Sequence, residues 1–431
     1  LRICDGEGAI SPVLFDKAGM FRWFPQEHQG LLVGYDYTNK WADLKPLLSP
    51  EQEKQIADES MKLRRKVFSY HGDQKKFAEN ALRTFNYPLE AALHLHSVAS
   101  PDIEKMTKQK WPAYSSVKVP VFYIKQCQVD AQSIKIGKTL DRGIDEIVEL
   151  KVSPNGKYIA CVKHESAQER NFIEIISAQG NENAAFVATN TNSFPAWSND
   201  ARALFYSRCN TGSEPDLLKG HGVHEGGLFK VEVADAAGKK IAAMKSVRLA
   251  NLIFDNRAPI HAMKDGRILF VSREIRLPNS VNATPAAVLF SLEGNKVETI
   301  VRRNDDIAYF EANQDQDMLA ISTSSSALIV CKANGTEQSE LCNGKDLRIS
   351  GLLPQWKSNQ ELSYGTETAA AAKGSKPAYS VLLWTKGAGA AKDLSKAWGK
   401  EAASEINIHR DFFQEAMTGV MQDLDRASDK H

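Results

Sequence analysis

The stretch FPAWSNDARALFYSR, from Phe194 to Arg208, determines the fold that we predict for this chain. A second stretch, WPAYSSVKVPVFYIK from Trp111 to Lys125, aligns with it without a gap. Both run aromatic-Pro-x-aromatic-Ser, then a polar turn, then a strand of alternating apolar residues. A unit that recurs in this way predicts a repeat architecture.

The same unit recurs four more times with decreasing fidelity. Its six turns are centred near residues 116, 155, 199, 265, 315 and 359. A further apolar strand follows five of these turns, at Phe172–Ile176, Leu228–Val233, Val288–Leu292, Leu328–Cys331 and Val381–Thr385. Four strands in about 40 to 50 residues, repeated around an axis, form the blade of a β-propeller. We therefore predict a mainly β fold, a six-bladed β-propeller over residues 110–400, with the aromatic-Pro-x-aromatic strands innermost.

Three of the repeats carry a family resemblance. SPNGKYIAC, WSNDARALFY and MKDGRILFV resemble the SPDGKxIAF repeat of TolB-like (PD40, WD40-like) propellers. No blade carries the Gly-His and Trp-Asp pair of eukaryotic WD40 repeats. Asn-Gly and Asp-Gly would supply the positive φ values of a two-residue hairpin, and wide aromatic side chains would fill the wedge between blades. A β-sandwich with chance similarity is the alternative.

The resemblance also carries expectations about function. TolB-like propellers are mostly bacterial envelope proteins, which implies a periplasmic or extracellular location. A propeller is a rigid disc with two loop-covered faces, and the catalytic signatures that we tested are absent. We therefore predict a non-catalytic protein-interaction scaffold, or a subunit of a larger assembly, whose partners are other proteins. The alternative is a metal-dependent lyase or hydrolase that acts at the propeller funnel, because certain pectin-degrading lyases with related propellers use metal-bound histidines. We predict no cofactor.

The composition excludes several other classes. The chain has 54 basic and 53 acidic residues, which argues against nucleic acid or an anionic membrane surface as the main partner. No run approaches the ~20 apolar residues of a membrane-spanning helix. The six cysteines form no Cys-x-x-Cys or zinc-type pairing. No signal peptide is visible, and the sequence starts at Leu1 and not at Met, so we expect a processed or trimmed chain.

The two ends of the chain read as helical. Residues 1–109 predict an α-rich N-terminal domain, in which Ser49-Pro50-Glu51-Gln52 offers a capping box and Ile56 begins an apolar stripe. A strand at Leu31–Tyr37 is a candidate to close the ring by joining the last blade. Residues 401–431 predict an amphipathic helix with an acidic back, which packs on the rest of the chain or docks a partner.

The third blade holds the largest insertion, residues 210–227, and its Gly and polar content predicts a loop. Long loops on a rigid scaffold often carry function. We therefore predict partner binding by four of its residues, Asp216, Lys219, His221 and His224. The set His221, His224 and Glu225 suits zinc or manganese, whereas an exposed Gly-rich loop with two solvated histidines is the simpler interpretation.

Signals for catalysis are otherwise lacking in the sequence. It contains no Gly-x-Ser-x-Gly elbow, no Gly-x-Gly-x-x-Gly loop and no His-Glu-x-x-His. His94 and His96 would point apart on a helix, and Asp305-Asp306 reads as the start of a loop. Cys331 and Cys342 flank a hairpin, but a two-residue turn at Asn334-Gly335 would pair Cys331 with Gln338, so a disulfide needs a longer loop or a bulge.

Overall fold

The computed structural model describes a ring of β-sheets with short helical segments beside it. The described residues are 18–24, 29–38, 41–58, 119–130, 133–165, 170–180, 184–191, 194–210, 224–236, 240–243, 245–254, 259–274, 286–345, 347–349, 354–368 and 378–397. They form six separate antiparallel sheets, each of four or five strands. The predicted six-bladed propeller is confirmed.

The first blade is built from two distant parts of the chain. Across the sheet it runs β1 (Ala18–Trp23), β2 (Gln29–Thr38), β3 (Val119–Val129) and β4 (Ile134–Gly143). After β2 come helix α1 (Trp41–Leu44), a 3-10 turn (Lys45–Leu47) and helical residues 50–58. No helix in the described ranges is long and apolar enough to cross a membrane.

The other five blades follow one another along the chain. Blade 2 comprises β5 (Glu146–Val152), β6 (Tyr158–Glu165), β7 (Arg170–Ser177) and β8 (Ala185–Thr189). Blade 3 comprises β9 (Ala196–Trp197), β10 (Ala203–Cys209), β11 (His224–Ala236), β12 (Lys240–Ala243) and β13 (Val247–Phe254). Blade 4 comprises β14 (Ile260–Ala262), β15 (Ile268–Glu274), β16 (Ala286–Glu293) and β17 (Lys296–Val301). Blade 5 comprises β18 (Ile307–Ala312), β19 (Met318–Thr323), β20 (Ala327–Lys332) and β21 (Ser339–Asn343). Blade 6 comprises β22 (Leu347–Ile349), β23 (Gln355–Trp356), β24 (Glu361–Thr368), β25 (Ala378–Thr385) and β26 (Lys392–Asp393).

The start of the propeller differs from the prediction. Strands β1 and β2 belong to the first blade, so the ring begins near residue 18 and not near residue 110. Leu31–Tyr37 is a strand, as expected, but it pairs with β3 in the first blade and not with the last blade. The rest of the predicted N-terminal domain from 59 to 109, and the predicted helix at 401–431, lie outside the described residues.

The gapless alignment of the two aromatic stretches also does not hold in space. Phe205 and Tyr206 lie in β10, the second strand of its sheet, whereas Phe122 and Tyr123 lie in β3, the third strand of its sheet. The two middle strands of a blade are both buried and share a period of two, so their apolar patterns look alike. Residues 111–118, which include the predicted innermost strand, lie outside the described residues.

The repeated turns follow one design. In SPNGKY, the Ser153 hydroxyl accepts the Tyr158 N–H at 2.9 Å, and the Asn155 side chain accepts the Lys157 N–H at 3.0 Å. The turn SNDARA repeats both bonds with its own Ser and Asp. The third loop residue alone takes a positive φ, at Gly156, Ala201, Gly266 and Gln316. The turns are therefore four-residue loops with one left-handed residue, and not the predicted two-residue hairpins.

Consecutive blades share apolar cores. Side chains of blades 1 and 2, 2 and 3, 3 and 4, 4 and 5, and 5 and 6 each form one buried cluster. Two tryptophans add a hydrogen bond between blades. The indole N–H of Trp197 donates to the Lys151 carbonyl at 2.8 Å, and that of Trp356 donates to the Glu311 carbonyl at 3.2 Å. The Pro-x-Trp repeat thus fastens the innermost strand of one blade to that of the preceding blade.

The strand order assigns the connections to two faces of the disc. In a four-stranded antiparallel meander, the first and third connections lie at one end of the strands. The second connection, and the one to the next blade, lie at the other end. Residues 39–118, 210–223, 275–285 and 369–377 all join a second strand to a third, so their strand ends share one face, which we name the loop face. The short turns after the innermost strands lie on the opposite side, the turn face.

Candidate functional site

The innermost strands enclose the axis of the ring. Strand β1 contacts β5, β5 contacts β9, β9 contacts β14, and β18 contacts β23. These strands carry seven ionisable side chains. Apart from Glu146 at the start of β5, we name them the axial cluster: Arg22, Glu149, Lys151, His261, Tyr309 and Glu311. Four of them, Arg22, Lys151, His261 and Glu311, are partly exposed to solvent. We name the space between these innermost strands the axial channel.

Two residues of the axial cluster, Arg22 and Glu149, form a salt bridge with each other. The Arg22 guanidinium binds both carboxylate oxygens of Glu149, with Nε and Nη2 each at 3.0 Å. The Leu150 N–H donates to the same carboxylate at 2.9 Å, and Glu149 is only 2% exposed. A buried carboxylate that accepts a bidentate guanidinium is neutralised in place. This pair joins blade 1 to blade 2 and has little capacity left for a ligand.

Glu311 differs from Glu149 because one of its oxygens has no partner. Its Oε2 atom is buried and forms no hydrogen bond within the described part of the chain. Burial raises the pKa of Glu311 to about 7, against the positive charges of Lys151 and Arg22, which lower it. A carboxyl with this pKa changes protonation state near neutral pH, so that it can donate or accept a hydrogen bond there.

Lys151 and His261 face the same space from blades 2 and 4. Burial and the Lys151 charge lower the pKa of His261 to about 4, so its imidazole is neutral at physiological pH. Lys151 forms no ion pair or side-chain hydrogen bond with any residue in the described ranges. It is therefore the cation of the cluster that lacks a carboxylate partner.

Side chains of blades 3 and 5 meet near both ends of the axial channel. Near the loop face, the Phe194 ring packs edge-on against the Tyr309 ring, with centroids 5.5 Å apart. Burial raises the pKa of Tyr309 well above its usual range, so the phenol is always protonated. At the turn face, the Gln316 side chain reaches His261 at 3.3 Å and Asn199 at 3.5 Å. Blades 3 and 5 thus approach each other at both ends.

Of the four partner-binding residues predicted from the sequence, the structure describes His224. Asp216, Lys219 and His221 lie outside the described residues, so their role stays a prediction. His224 is the first residue of β11 and lies opposite Phe254 of β13. Among the residues that the structure describes, no three His, Cys, Asp or Glu side chains are grouped to hold a metal ion. The predicted metal set of His221, His224 and Glu225 stays a prediction, because His221 lies outside the described residues.

The insertion is shorter than the sequence predicts. Strand β11 begins at His224, so residues 224–227 are strand and not loop. A side chain at Gly226 would place its Cβ 2.2 Å from the Arg208 carbonyl oxygen. The two glycines at 226 and 227 therefore allow β10, β11 and β13 to approach closely, and they do not serve flexibility.

The structure also describes the predicted capping box and the Asp305-Asp306 pair. The capping box is present: the Ser49 hydroxyl accepts the Gln52 N–H at 3.2 Å, and the Gln52 side chain accepts the Ser49 N–H at 2.9 Å. Asp305 binds Arg303 and Ser325, and Asp306 binds Arg273, so both aspartates fasten loops. His94 and His96 lie outside the described residues.

Cys331 and Cys342 are free thiols on opposite faces of blade 5. Cys331 belongs to the core with blade 4, and Cys342 belongs to the core with blade 6. The residue opposite Cys342 is Leu328. A positive φ at Gly335 closes a loop longer than two residues, but it does not bring the thiols into register. A disulfide between them would require blade 5 to rearrange.

The ring and its axial cluster define a six-bladed β-propeller with charged side chains at its axis. No family model matches the sequence, and no curated protein matches it. TolB from Acinetobacter baumannii is similar in fold, at 14% identity and a TM-score of 0.40, and the match covers 63% of this chain and 61% of that one. This chain therefore spans less than two thirds of that TolB.

Two enzymes are also among the structural neighbours. An oligogalacturonate lyase from Vibrio parahaemolyticus has 12% identity and a TM-score of 0.42, over 67% of this chain and 77% of that chain. A puromycin-hydrolysing peptidase from Mycobacterium tuberculosis has 12% identity and a TM-score of 0.39, over 63% of this chain and 43% of that chain. These are likenesses of fold and leave the function open.

Proposed function

We propose that this chain is a non-catalytic scaffold that binds another protein through its loop face, as a subunit of a larger assembly. The observation that carries the proposal is the strand order. Four long connections, 39–118, 210–223, 275–285 and 369–377, all leave from strand ends on one side of the disc. Long connections on one side of a rigid scaffold supply an extended contact surface.

The helical segment after β2 supports this choice of face. The Gln52 side chain donates to Asp145 Oδ2 at 2.9 Å, and Asp145 lies in the connection between β4 and β5, which belongs to the same face. Ile56 of this segment is 2% exposed. The connection 39–118 is thus fastened to the ring near its start, which favours a fixed surface over a loose tail. The turn face, in contrast, carries short turns held by their own side chains.

We place the chain in the bacterial envelope by its resemblance to TolB-like repeats, and fractionation of the source cells tests this location. The competing function is a metal-dependent lyase or hydrolase at the funnel. His224 and Glu225 begin β11, the third strand of its sheet, which lies away from the axis. Elemental analysis of the purified protein separates the two functions, because a stoichiometric transition metal would favour the enzyme.

The proposal is tested by replacing residues 212–222 with a Gly-Ser segment of equal length. The replacement stops short of β11, because His224 onwards is strand. We expect the variant to keep the unfolding midpoint of the wild type, since the loop closure is unchanged. It should no longer co-purify with the partner that the wild type retains from its native source.

A matched control alters the other face. In this control the exposed Lys157 of the turn face is replaced by Glu, which leaves the loop face unchanged. We expect co-purification to persist in this variant. Retention of the partner by the 212–222 replacement, together with loss of a turnover activity, would contradict the scaffold and favour the enzyme.

A further inference from the structure

The axial cluster contains two groups that the ring itself leaves without partners. Glu311 Oε2 is buried and lacks a hydrogen bond, and Lys151 has no carboxylate partner among the described residues. The two lie near enough for the Lys151 charge to act on Glu311, yet no ion pair joins them. Unpaired buried polar groups are costly, and a retained one calls for an occupant that satisfies it.

We propose that the axial channel binds a small monoanionic carboxylate between Lys151 and Glu311. The site is separate from the loop face, so it extends the scaffold function and does not depend on it. Lys151 reaches the ligand from β5 of blade 2, and Glu311 reaches it from β18 of blade 5. A ligand carboxylate accepts from the Lys151 ammonium through one oxygen and from the protonated Glu311 carboxyl through the other.

The charges of the cluster select an anion over a cation. Arg22 and Glu149 neutralise each other, and His261 and Tyr309 are uncharged at neutral pH. With Glu311 protonated, Lys151 leaves a net charge of +1, which one carboxylate neutralises. An ammonium ligand would instead meet the positive charges of Lys151 and Arg22, and a phosphate dianion would leave a negative charge in a confined site.

The proposal has a definite pH dependence. A bound anion stabilises the protonated form of Glu311, so its pKa rises from about 7 on binding and a proton is taken up near neutral pH. Affinity is highest below the pKa of the free protein and falls as pH rises through it. Between pH 6 and pH 8 the dissociation constant should increase about tenfold, by the linkage of one proton to binding.

Calorimetric titration with sodium acetate, sodium lactate and N-acetylglycine tests the site. We expect at least one of these probes to bind the full chain at millimolar concentration, with proton uptake when two buffers of different ionisation enthalpy are compared at pH 7. Methylammonium should not bind, and phosphate should bind more weakly than the carboxylates.

Three variants separate this site from a general charge effect. Lys151→Met should weaken carboxylate binding tenfold or more, whereas Lys157→Met, which removes an exposed lysine from the nearby turn, should leave it unchanged. Glu311→Gln keeps a neutral donor at every pH, so it should bind at pH 8 as tightly as at pH 6. Because the amide is close in shape to the acid, this variant remains informative even if Lys151→Met fails to fold.

Three results would overturn the proposal. One is that none of the three carboxylates binds the wild type. Another is that methylammonium binds with proton release. The last is that Glu311→Gln retains the pH dependence of the wild type.

Discussion

At the scale of single residues, tryptophan explains why the aromatic-Pro-x-aromatic motif recurs. The side chains of Trp197 and Trp356 pack in the cores between blades, and each indole N–H reaches a backbone carbonyl of the preceding blade's innermost strand. Phenylalanine would fill the same wedge but could not make that bond. The motif therefore combines apolar volume with one directed contact, which accounts for its persistence in two blades.

Trp197→Phe tests this account. We expect it to lower the free energy of unfolding by about 1–2 kcal/mol, because it loses the indole hydrogen bond to the Lys151 carbonyl. Trp23→Phe is the matched control, because Trp23 is 53% exposed. Denaturant unfolding of both variants measures the difference. Equal stability of the two would show that the indole bond contributes nothing.

The charged residues of the axis were not predicted from the sequence. Lys151 and Glu311 each occupy the third position before a Pro-Asn or Gln-Asp turn, inside strands that otherwise read as apolar. A single charge in such a strand usually indicates a solvent-facing position. Only closure of the ring brings strands from blades 1, 2, 4 and 5 together, so the cluster depends on contacts that no local pattern contains.

At the scale of elements, the sequence predicts strands and turns better than it predicts their place in a blade. The five apolar strands after the turns, among them Val288–Leu292 and Val381–Thr385, all lie in third strands. The sequence predicts β3 as a second strand, which is wrong, because β3 has the alternation of a second strand and residues 39–118 separate it from β2. The sequence predicts a loop at Gly226 and Gly227, because close packing of strands and loop flexibility both select glycine.

Gly226→Ala distinguishes close packing from flexibility. Its Cβ would meet the Arg208 carbonyl oxygen and the Phe254 ring, so we expect a loss of about 1–3 kcal/mol of unfolding free energy or more. Gly143→Ala is the control, because a Cβ there meets nothing within 4 Å. Thermal unfolding of both variants gives the comparison. If Gly226→Ala is as stable as Gly143→Ala, residues 224–227 do not pack as closely as a strand of this sheet requires, and the loop prediction stands.

At the scale of the whole molecule, the first and the last blade exchange no strand within the described residues. Blade 1 uses residues 18–38 and 119–143, and blade 6 uses residues after 346, so in the described ranges neither end of the chain completes the other's sheet. Between the two parts of blade 1, residues 39–118 leave from the loop face and return to it. The same face carries the other three long connections. The proposed docking function therefore rests on the arrangement of the strands and not on a single residue.

Hydrogen exchange of the chain, alone and bound to its co-purified partner, tests the loop-face function most directly. We predict slower exchange in the complex at strand ends of the loop face, such as residues 36–38, 119–122 and 224–226. The turn-face residues 154–157 and 264–267 should exchange at the same rate in both states. Protection at the turns, with the loop-face strand ends unchanged, would contradict the account.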